Sequence, residues 1–166
     1  MKKIHLLLLL ALALVISCTA APMPTTAPAP TPMPIQTSSV AQTPPPTLPD
    51  DVLVIYHKTG GIAGVNDTLT VHQGGLLELV NRQGEKKTAN ADEAMIQPVR
   101  RMLEQKDFGE LQPTYSASGA DLITYTITAR DSTGAPKTVV TMDSAPHPPF
   151  LGQLIVMLDQ LQAAVR

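Results

Sequence analysis

The C-terminal part of the sequence, Asp50 to Arg166, predicts an α+β domain: a mostly antiparallel sheet of about five to six strands with two helices on one face. Two observations lead to this prediction. Several short segments rich in β-branched residues alternate apolar and polar side chains and are separated by turns that contain glycine. Two other segments repeat apolar residues at helical spacing, and such a stripe is normally buried against another layer.

The first strand is predicted at about Val52–His57, within DVLVIYHK, and the glycines of GGIAG at Gly60–Gly64 end it. The next segment, DTLTVHQGGLLELVNR, predicts a hairpin with the three-residue loop Gln73–Gly75, because a glycine there can take the left-handed backbone that such a loop requires. This register pairs two sets of apolar residues on one face, Leu69 with Leu79 and Val71 with Leu77. A further short strand is predicted at Lys86–Ala89.

The first helix is predicted from its capping signals and from a proline. Asn90 or Asp92 could cap it, with Glu93 in the first turn. Because proline is tolerated only near the start of a helix, the regular part is placed at Pro98–Lys106. Its buried side chains would be Val99, Met102 and Leu103.

The last part of the domain predicts a second hairpin and a second helix. ADLITYTITAR alternates over Leu122–Arg130, with threonines on one face and Ile123, Tyr125 and Ile127 on the other, where Tyr125 should be buried. PKTVVTMD is its predicted partner strand. After APHPP, five apolar residues recur at helical spacing: Leu151, Leu154, Ile155, Leu158 and Leu161.

The N-terminus has the layout of a bacterial lipoprotein signal peptide over residues 1–17. Lysines precede an apolar run from Leu6 to Ile16, which at 11 residues is shorter than the roughly 20 that a membrane-spanning helix needs. Val15 to Cys18 resembles the lipobox, so Cys18 is predicted to become the lipidated first residue of the mature protein, on the extracytoplasmic side of the bacterial cell membrane. An ordinary signal peptide or a free thiol are the alternatives. Two acyl chains suffice for stable anchoring.

Residues 18–49 are predicted to form a tether between this anchor and the domain at 50–166. Ten of the sixteen prolines lie between Pro22 and Pro49, in a stretch without charged side chains. Such a segment cannot bury enough apolar surface to offset the entropy of ordering it.

Composition and motifs argue against several classes of function. Removal of the signal peptide takes away Lys2 and Lys3 and leaves 10 of the 12 basic residues, against 14 acidic residues. This excess of negative charge argues against a nucleic-acid partner. If the first two strands pair across the glycine turn, His57 lies opposite Asp67 and His72 opposite Val52, too far apart to share a metal. A single cysteine excludes an internal disulfide, and no hydrolase motif is present. We therefore expect no enzyme activity, no cofactor, no metal and a monomer.

Three segments together resemble the emfourin family of small protein inhibitors of thermolysin-like metalloproteases. They are HKTGGIAG followed by a strand, DLITYTITA, and TMDSAPHPPFLGQLI, with DFGEL closing the central helix. The resemblance extends over most of the region from Val52 to Gln162. It implies that the chain is a lipid-anchored inhibitor of such a protease; a cell-surface module that binds another ligand with the same fold is the alternative.

An inhibitor of this kind needs a rigid loop that occupies a cleft, and two loops are candidates. One is the turn made by Gly60, Gly61, Ile62, Ala63 and Gly64, where glycine allows close backbone approach; it could equally be a tight turn with no contact role. The other is the proline-rich segment around Asp143 and His147, which could instead be a helix start with Ser144 or His147 near the cap and Pro148 or Pro149 in the first turn. Asp143 or His147 could also bind a target's zinc ion.

Overall fold

The structure, a computed structural model, describes residues 47–166. The predicted signal peptide, Cys18 and the tether as far as Pro46 lie outside the described residues. The folded region includes Leu48, which is 3% exposed and whose carbonyl accepts a hydrogen bond from Arg130 at 2.9 Å. The domain therefore begins at least two residues before the predicted boundary at Asp50.

The domain has the predicted α+β architecture, with one six-stranded antiparallel sheet in the order β4-β3-β2-β1-β5-β6. The strands are β1 Val52–Gly60, β2 Val65–His72, β3 Leu76–Val80, β4 Lys86–Asn90, β5 Ile123–Arg130 and β6 Pro136–Met142. The helices are α1 Glu93–Glu104, the short α2 Lys106–Glu110 and α3 Pro149–Ala163. The structure thus has three helices in the described region, where the sequence predicted two.

The hairpin of β2 and β3 has the predicted register. Leu69 pairs with Leu79 and Val71 with Leu77, and these four side chains are buried in the core. In the loop, Gly75 takes the left-handed backbone at φ 87°. The glycine loop and the apolar alternation specify the same pairing here, so the register follows from sequence.

The pairing of β1 with β2 differs from the prediction by one residue. His72 lies opposite Val52 as predicted, but a β-bulge between Val52 and Val54 shifts the rest of the ladder, so His57 pairs with Thr68 and not with Asp67. A bulge inserts one extra residue into one strand. The two histidines nevertheless stay at opposite ends of the ladder.

Helix α1 has Asp92 at its N-cap and Glu93 in its first turn, as the capping signals predicted. Its regular part, however, begins five residues before the predicted Pro98 and ends at Glu104 rather than at Lys106. Pro98 is therefore the sixth residue of the helix, where it removes the backbone hydrogen bond to the carbonyl of Ala94. The predicted buried residues Val99, Met102 and Leu103 are confirmed, and Ile96 joins them. Packing of this apolar stripe on the core outweighs the cost of the proline.

Helix α3 covers the core as predicted, with Leu151, Leu154, Leu158 and Leu161 buried and Ile155 half-buried. The core lies between the helices and one face of the sheet, and its largest buried side chain is that of Tyr56 in β1. Tyr125, which the alternation predicted to be buried, is only half-buried; it lies near the start of β5 and packs against the core from its edge.

Candidate functional site

The turn between β1 and β2 has a backbone that only glycine fits at its first position. Gly60 has φ 98°, and a Cβ atom there would lie 2.4 Å from the carbonyl oxygen of Leu122. The same oxygen accepts a hydrogen bond from the amide of Gly61 at 3.2 Å, and the amide of Gly64 donates to the carbonyl of Gly61 at 2.9 Å. Gly61 and Gly64 also have positive φ, so the turn is fixed by backbone contacts.

Ile62 lies at the tip of this turn with its side chain 90% exposed, the largest exposure among the large hydrophobic residues of the described region. The neighbouring Ala63 is held from the loop between β3 and β4, because Arg82 donates a hydrogen bond from Nη1 to its carbonyl oxygen at 2.7 Å. Sequence reasoning missed Arg82, since nothing in its neighbourhood indicates a partner 19 residues away. The turn therefore exposes an apolar side chain on a backbone that is held by hydrogen bonds with Leu122 and with Arg82.

Asp143 lies at the same end of the sheet as the glycine turn, and Ile123 connects them. Ile123 pairs with Gly60 across β1 and β5. Its amide donates to Oδ2 of Asp143 at 3.2 Å, and its carbonyl accepts from the amide of Asp143 at 2.9 Å. The hydroxyl of Tyr125 donates to the other carboxylate oxygen at 2.7 Å. The Asp143 carboxylate is thus engaged inside the domain, where it fixes the strand that supports the turn.

His147 lies farther along the same loop and packs against the start of α3. Its Nδ1 is 3.0 Å from the carbonyl oxygen of Pro148, and its ring contacts Tyr115 edge to face at 6.4 Å between centroids. The predicted helix start is confirmed: Pro149 is the first residue of α3, and Pro148 is its N-cap, with His147 next to it. His147 and Asp143 share the lining of a cavity of about 160 Å³.

A polar network lies under the turn, between β1, β5 and α3. Asp159 of α3 accepts hydrogen bonds through Oδ1 from the hydroxyl of Tyr56 and from Nζ of Lys58, each at 2.9 Å. The rings of Tyr56 and Tyr125 stack at 6.3 Å, and the Lys58 ammonium lies 5.4 Å from the Tyr125 centroid. Burial, and then the Asp159 charge, raise the pKa of Tyr56 far above its usual value. The hydroxyl stays protonated and donates to the carboxylate.

The histidines of β1 and β2 lie at opposite ends of the ladder. Nε2 of His57 lies 2.8 Å from Oδ1 of Asn66, whereas Nδ1 of His72 lies 3.0 Å from Asp51 at the far end of the ladder. Within residues 47–166, no group of three or more histidine, cysteine, aspartate or glutamate side chains is arranged to hold a metal ion. The same residues include no helix with both the length and the apolar character needed to cross a bilayer.

The structure thus brings together the two loops selected from the sequence. The Gly60–Gly64 turn and Asp143 meet through Ile123, and His147 lies on the flank. This end of the sheet has a turn that is held by hydrogen bonds and exposes one apolar side chain, that of Ile62. Such a surface is suited to contact with a partner. A comparison of the chain with models of protein families, with curated proteins and with solved structures finds no match.

Proposed function

We propose that this protein is a membrane-anchored, extracytoplasmic inhibitor of a thermolysin-like zinc metalloprotease, and that the Gly60–Gly64 turn enters the active-site cleft. The observation that carries the proposal is the turn itself. Its backbone is fixed by left-handed glycines and by hydrogen bonds from two other segments, and it exposes Ile62 almost completely. The sequence resemblance to protease inhibitors supplies the class of partner.

Rigidity is what an inhibitory loop requires. A loop that is already ordered loses little conformational entropy on binding, so more of the contact free energy appears as affinity. A single exposed apolar side chain at the tip can fill an apolar pocket of the partner, and such central anchors contribute most of the binding free energy at protein interfaces. Ile62 has this position.

The remaining residues of the site act as supports or as flanking contacts in this proposal. Asp143 accepts hydrogen bonds from the amide of Ile123 and the hydroxyl of Tyr125, which holds the start of β5 beside the turn. His147 on the flank can contact the rim of the cleft. Inhibition by occlusion needs no catalytic residue, no metal and no cofactor from this chain.

The direct test is inhibition of a panel of thermolysin-like proteases by the full chain in detergent, with Ile62→Asp as the decisive variant. Because Ile62 is exposed, this change should leave the melting temperature unchanged while it weakens inhibition at least tenfold, about 1.4 kcal/mol. The matched control is Val80→Asp, which places the same charge at a 37%-exposed valine in β3. Equal inhibition by the two variants would exclude the turn as the contact.

Arg82→Ala tests the bracing separately. It removes the hydrogen bond to Ala63 without changing any residue of the turn, so inhibition should weaken and the binding rate should fall if an ordered turn is required. If the wild-type chain inhibits no thermolysin-like enzyme at micromolar concentration, the inhibitor proposal is wrong. The domain would then be a cell-surface module for another ligand.

The anchor is tested through Cys18. If this residue carries the acyl chains, the wild-type protein partitions into detergent and into the membrane fraction, whereas Cys18→Ser does not. A soluble wild-type protein whose mature N-terminus is another residue would contradict the anchor. This outcome would leave the inhibition assay unaffected.

A further inference from the structure

The exposed side of helix α3 has a single charged side chain, and that one is paired. Among the 15 residues of the helix only Asp159 is charged; its side chain is 40% exposed, and its carboxylate accepts hydrogen bonds from Tyr56 and Lys58. The solvent side carries Gln153, Val156 and Gln160, and Val156 is 56% exposed. A solvated helix face normally carries charged residues, so this composition needs a reason.

The uncharged surface continues onto α1 through a groove between the two helices. Met95 of α1 is 39% exposed and lines the groove with Pro98 opposite Met157 of α3. The groove has a volume of about 220 Å³, and a second, shallower depression of about 450 Å³ adjoins it along α3 around Val156. Among the described residues, those that line these two cavities carry no charged side chain.

We propose that this surface binds a second copy of the chain, with α3 of each copy antiparallel to α3 of the other across a two-fold axis near Val156. Side chains close to a two-fold axis face their own copies, so a charge there would be repelled by itself. Valine and glutamine avoid this repulsion. A glutamine amide both donates and accepts hydrogen bonds, so Gln153 and Gln160 can pair across the axis.

The direction of α3 makes this dimer compatible with anchoring of both copies to one membrane. Asp159 contacts β1 and Gln162 contacts Asp67 of β2, and Ile155 shares a cavity with Tyr125 of β5. From Ile155 to Gln162 the helix rises roughly 10 Å, close to the roughly 10 Å between β5 and β2, so α3 runs nearly perpendicular to the strands. Two antiparallel α3 helices that face each other are related by a two-fold axis that lies between them in the contact plane and is perpendicular to both. Because the strands are also nearly perpendicular to α3, this axis is parallel to the strands.

Rotation about an axis parallel to the strands does not reverse them, so the strands of both copies point in the same direction. The starts of both β1 strands lie at one end of the dimer, and both glycine turns lie at the other end. Two copies tethered to one surface can therefore pair without turning either domain over, and tethering raises their effective concentration.

A lipid surface is a poorer occupant for the same residues. Attraction to anionic membranes depends on lysine and arginine near the surface, and the cavity linings on α1 and α3 contain neither. A neutral surface matches a neutral surface, and a copy of the chain supplies one. This dimer departs from the monomer that the sequence predicts.

The first experiment measures the protein mass of the full chain in detergent by light scattering over a range of concentrations. The wild type should approach twice the monomer mass, and Val156→Glu should raise the dissociation constant at least tenfold, because the two glutamates meet near the axis. Val80→Glu, at an exposed valine outside α3, should dimerise like the wild type. A wild-type chain that is monomeric at every concentration, or two variants with equal effects, would overturn the proposal.

The second experiment does not depend on the stability of a charged variant. Val156→Cys should give a disulfide-linked dimer on mild oxidation in membranes, whereas Val80→Cys should give at least tenfold less, and the wild type controls for Cys18. Equal crosslinking of both cysteines, or none at position 156, contradicts the two-fold contact. Binding of the unacylated Cys18→Ser chain to neutral lipid vesicles, if Val156→Glu abolishes it, would assign the surface to lipid instead.

Discussion

Replacement of Gly60 by alanine tests the backbone of the turn most sharply. The new Cβ atom would lie 2.4 Å from the carbonyl oxygen of Leu122, which is itself hydrogen-bonded to the amide of Gly61. The backbone at Gly60 also has φ 98°, which side chains other than glycine rarely adopt. The substitution therefore combines a conformational cost with a steric clash against backbone.

The two costs can be separated with other glycines of the domain. A residue other than glycine at positive φ costs about 1–2 kcal/mol, and overpacking typically costs another 1–3 kcal/mol. Gly84 has φ 78° but nothing within 4 Å of its would-be Cβ, so Gly84→Ala measures the first cost alone. The free energy of unfolding should fall by about 1–2 kcal/mol for Gly84→Ala and by about 2–5 kcal/mol for Gly60→Ala.

The assay is urea unfolding of the wild type and both variants under identical conditions, with thermal melting beside it. Gly60→Ala should lower the melting temperature by about 10–20 °C. Gly74, which has open space around it and no positive φ, supplies a neutral control. If Gly60→Ala costs no more than Gly84→Ala, the contact with Leu122 does not constrain the turn and the reasoning is wrong.

Three further outcomes are expected. Pro98→Ala should raise the free energy of unfolding by about 1–3 kcal/mol, because it restores a helical hydrogen bond; a loss of stability in urea would show instead that the proline ring is needed for packing. Tyr56→Phe should lower it by about 1.5–3 kcal/mol, since the hydroxyl bonds a carboxylate, and unchanged urea unfolding would contradict that. The hydrogen bonds from Thr133 hold the pKa of Asp131 below its usual value, so its contribution to stability is present above the unfolded pKa of about 3.9 and is lost as the pH falls through the lower folded value. Thermal melts between pH 6 and about pH 3 should therefore show a weaker acid dependence for Asp131→Asn than for the wild type, and identical slopes would refute this.

The fold was predictable where local signals agreed with one another. In the hairpin of β2 and β3, the glycine loop and the apolar alternation both specify one register, which the structure has. The bulge after Val52 carries no glycine or proline, so the shift of His57 by one residue was not visible in the sequence. The capping signals of α1 indicated Asp92, which is its N-cap, but the regular part was placed too late, because the packing of Ile96 outweighs the cost of Pro98 inside the helix.

The candidate site was predictable only in part, for a reason of sequence distance. The glycine pattern identified the turn itself. Its supports come from residues far away in the chain: Arg82 is 19 positions from Ala63, and Asp159 is 103 positions from Tyr56. Such contacts depend on the three-dimensional arrangement of strands and helices, which a single sequence without a fold does not contain.

Strand β1 has a mechanical consequence for the proposed anchoring. The chain enters the described domain beside the first residue of β1, and the turn follows its last residue, nine residues and roughly 30 Å farther along. Tension between an anchored N-terminus and a partner held at the turn would act along the covalent backbone of this one strand, which is already extended. The load would not pass through the helices or through the ladders that join β1 to β2 and β5. A pulling force between the proposed anchor and a partner at the turn would therefore load β1 directly and the rest of the domain much less.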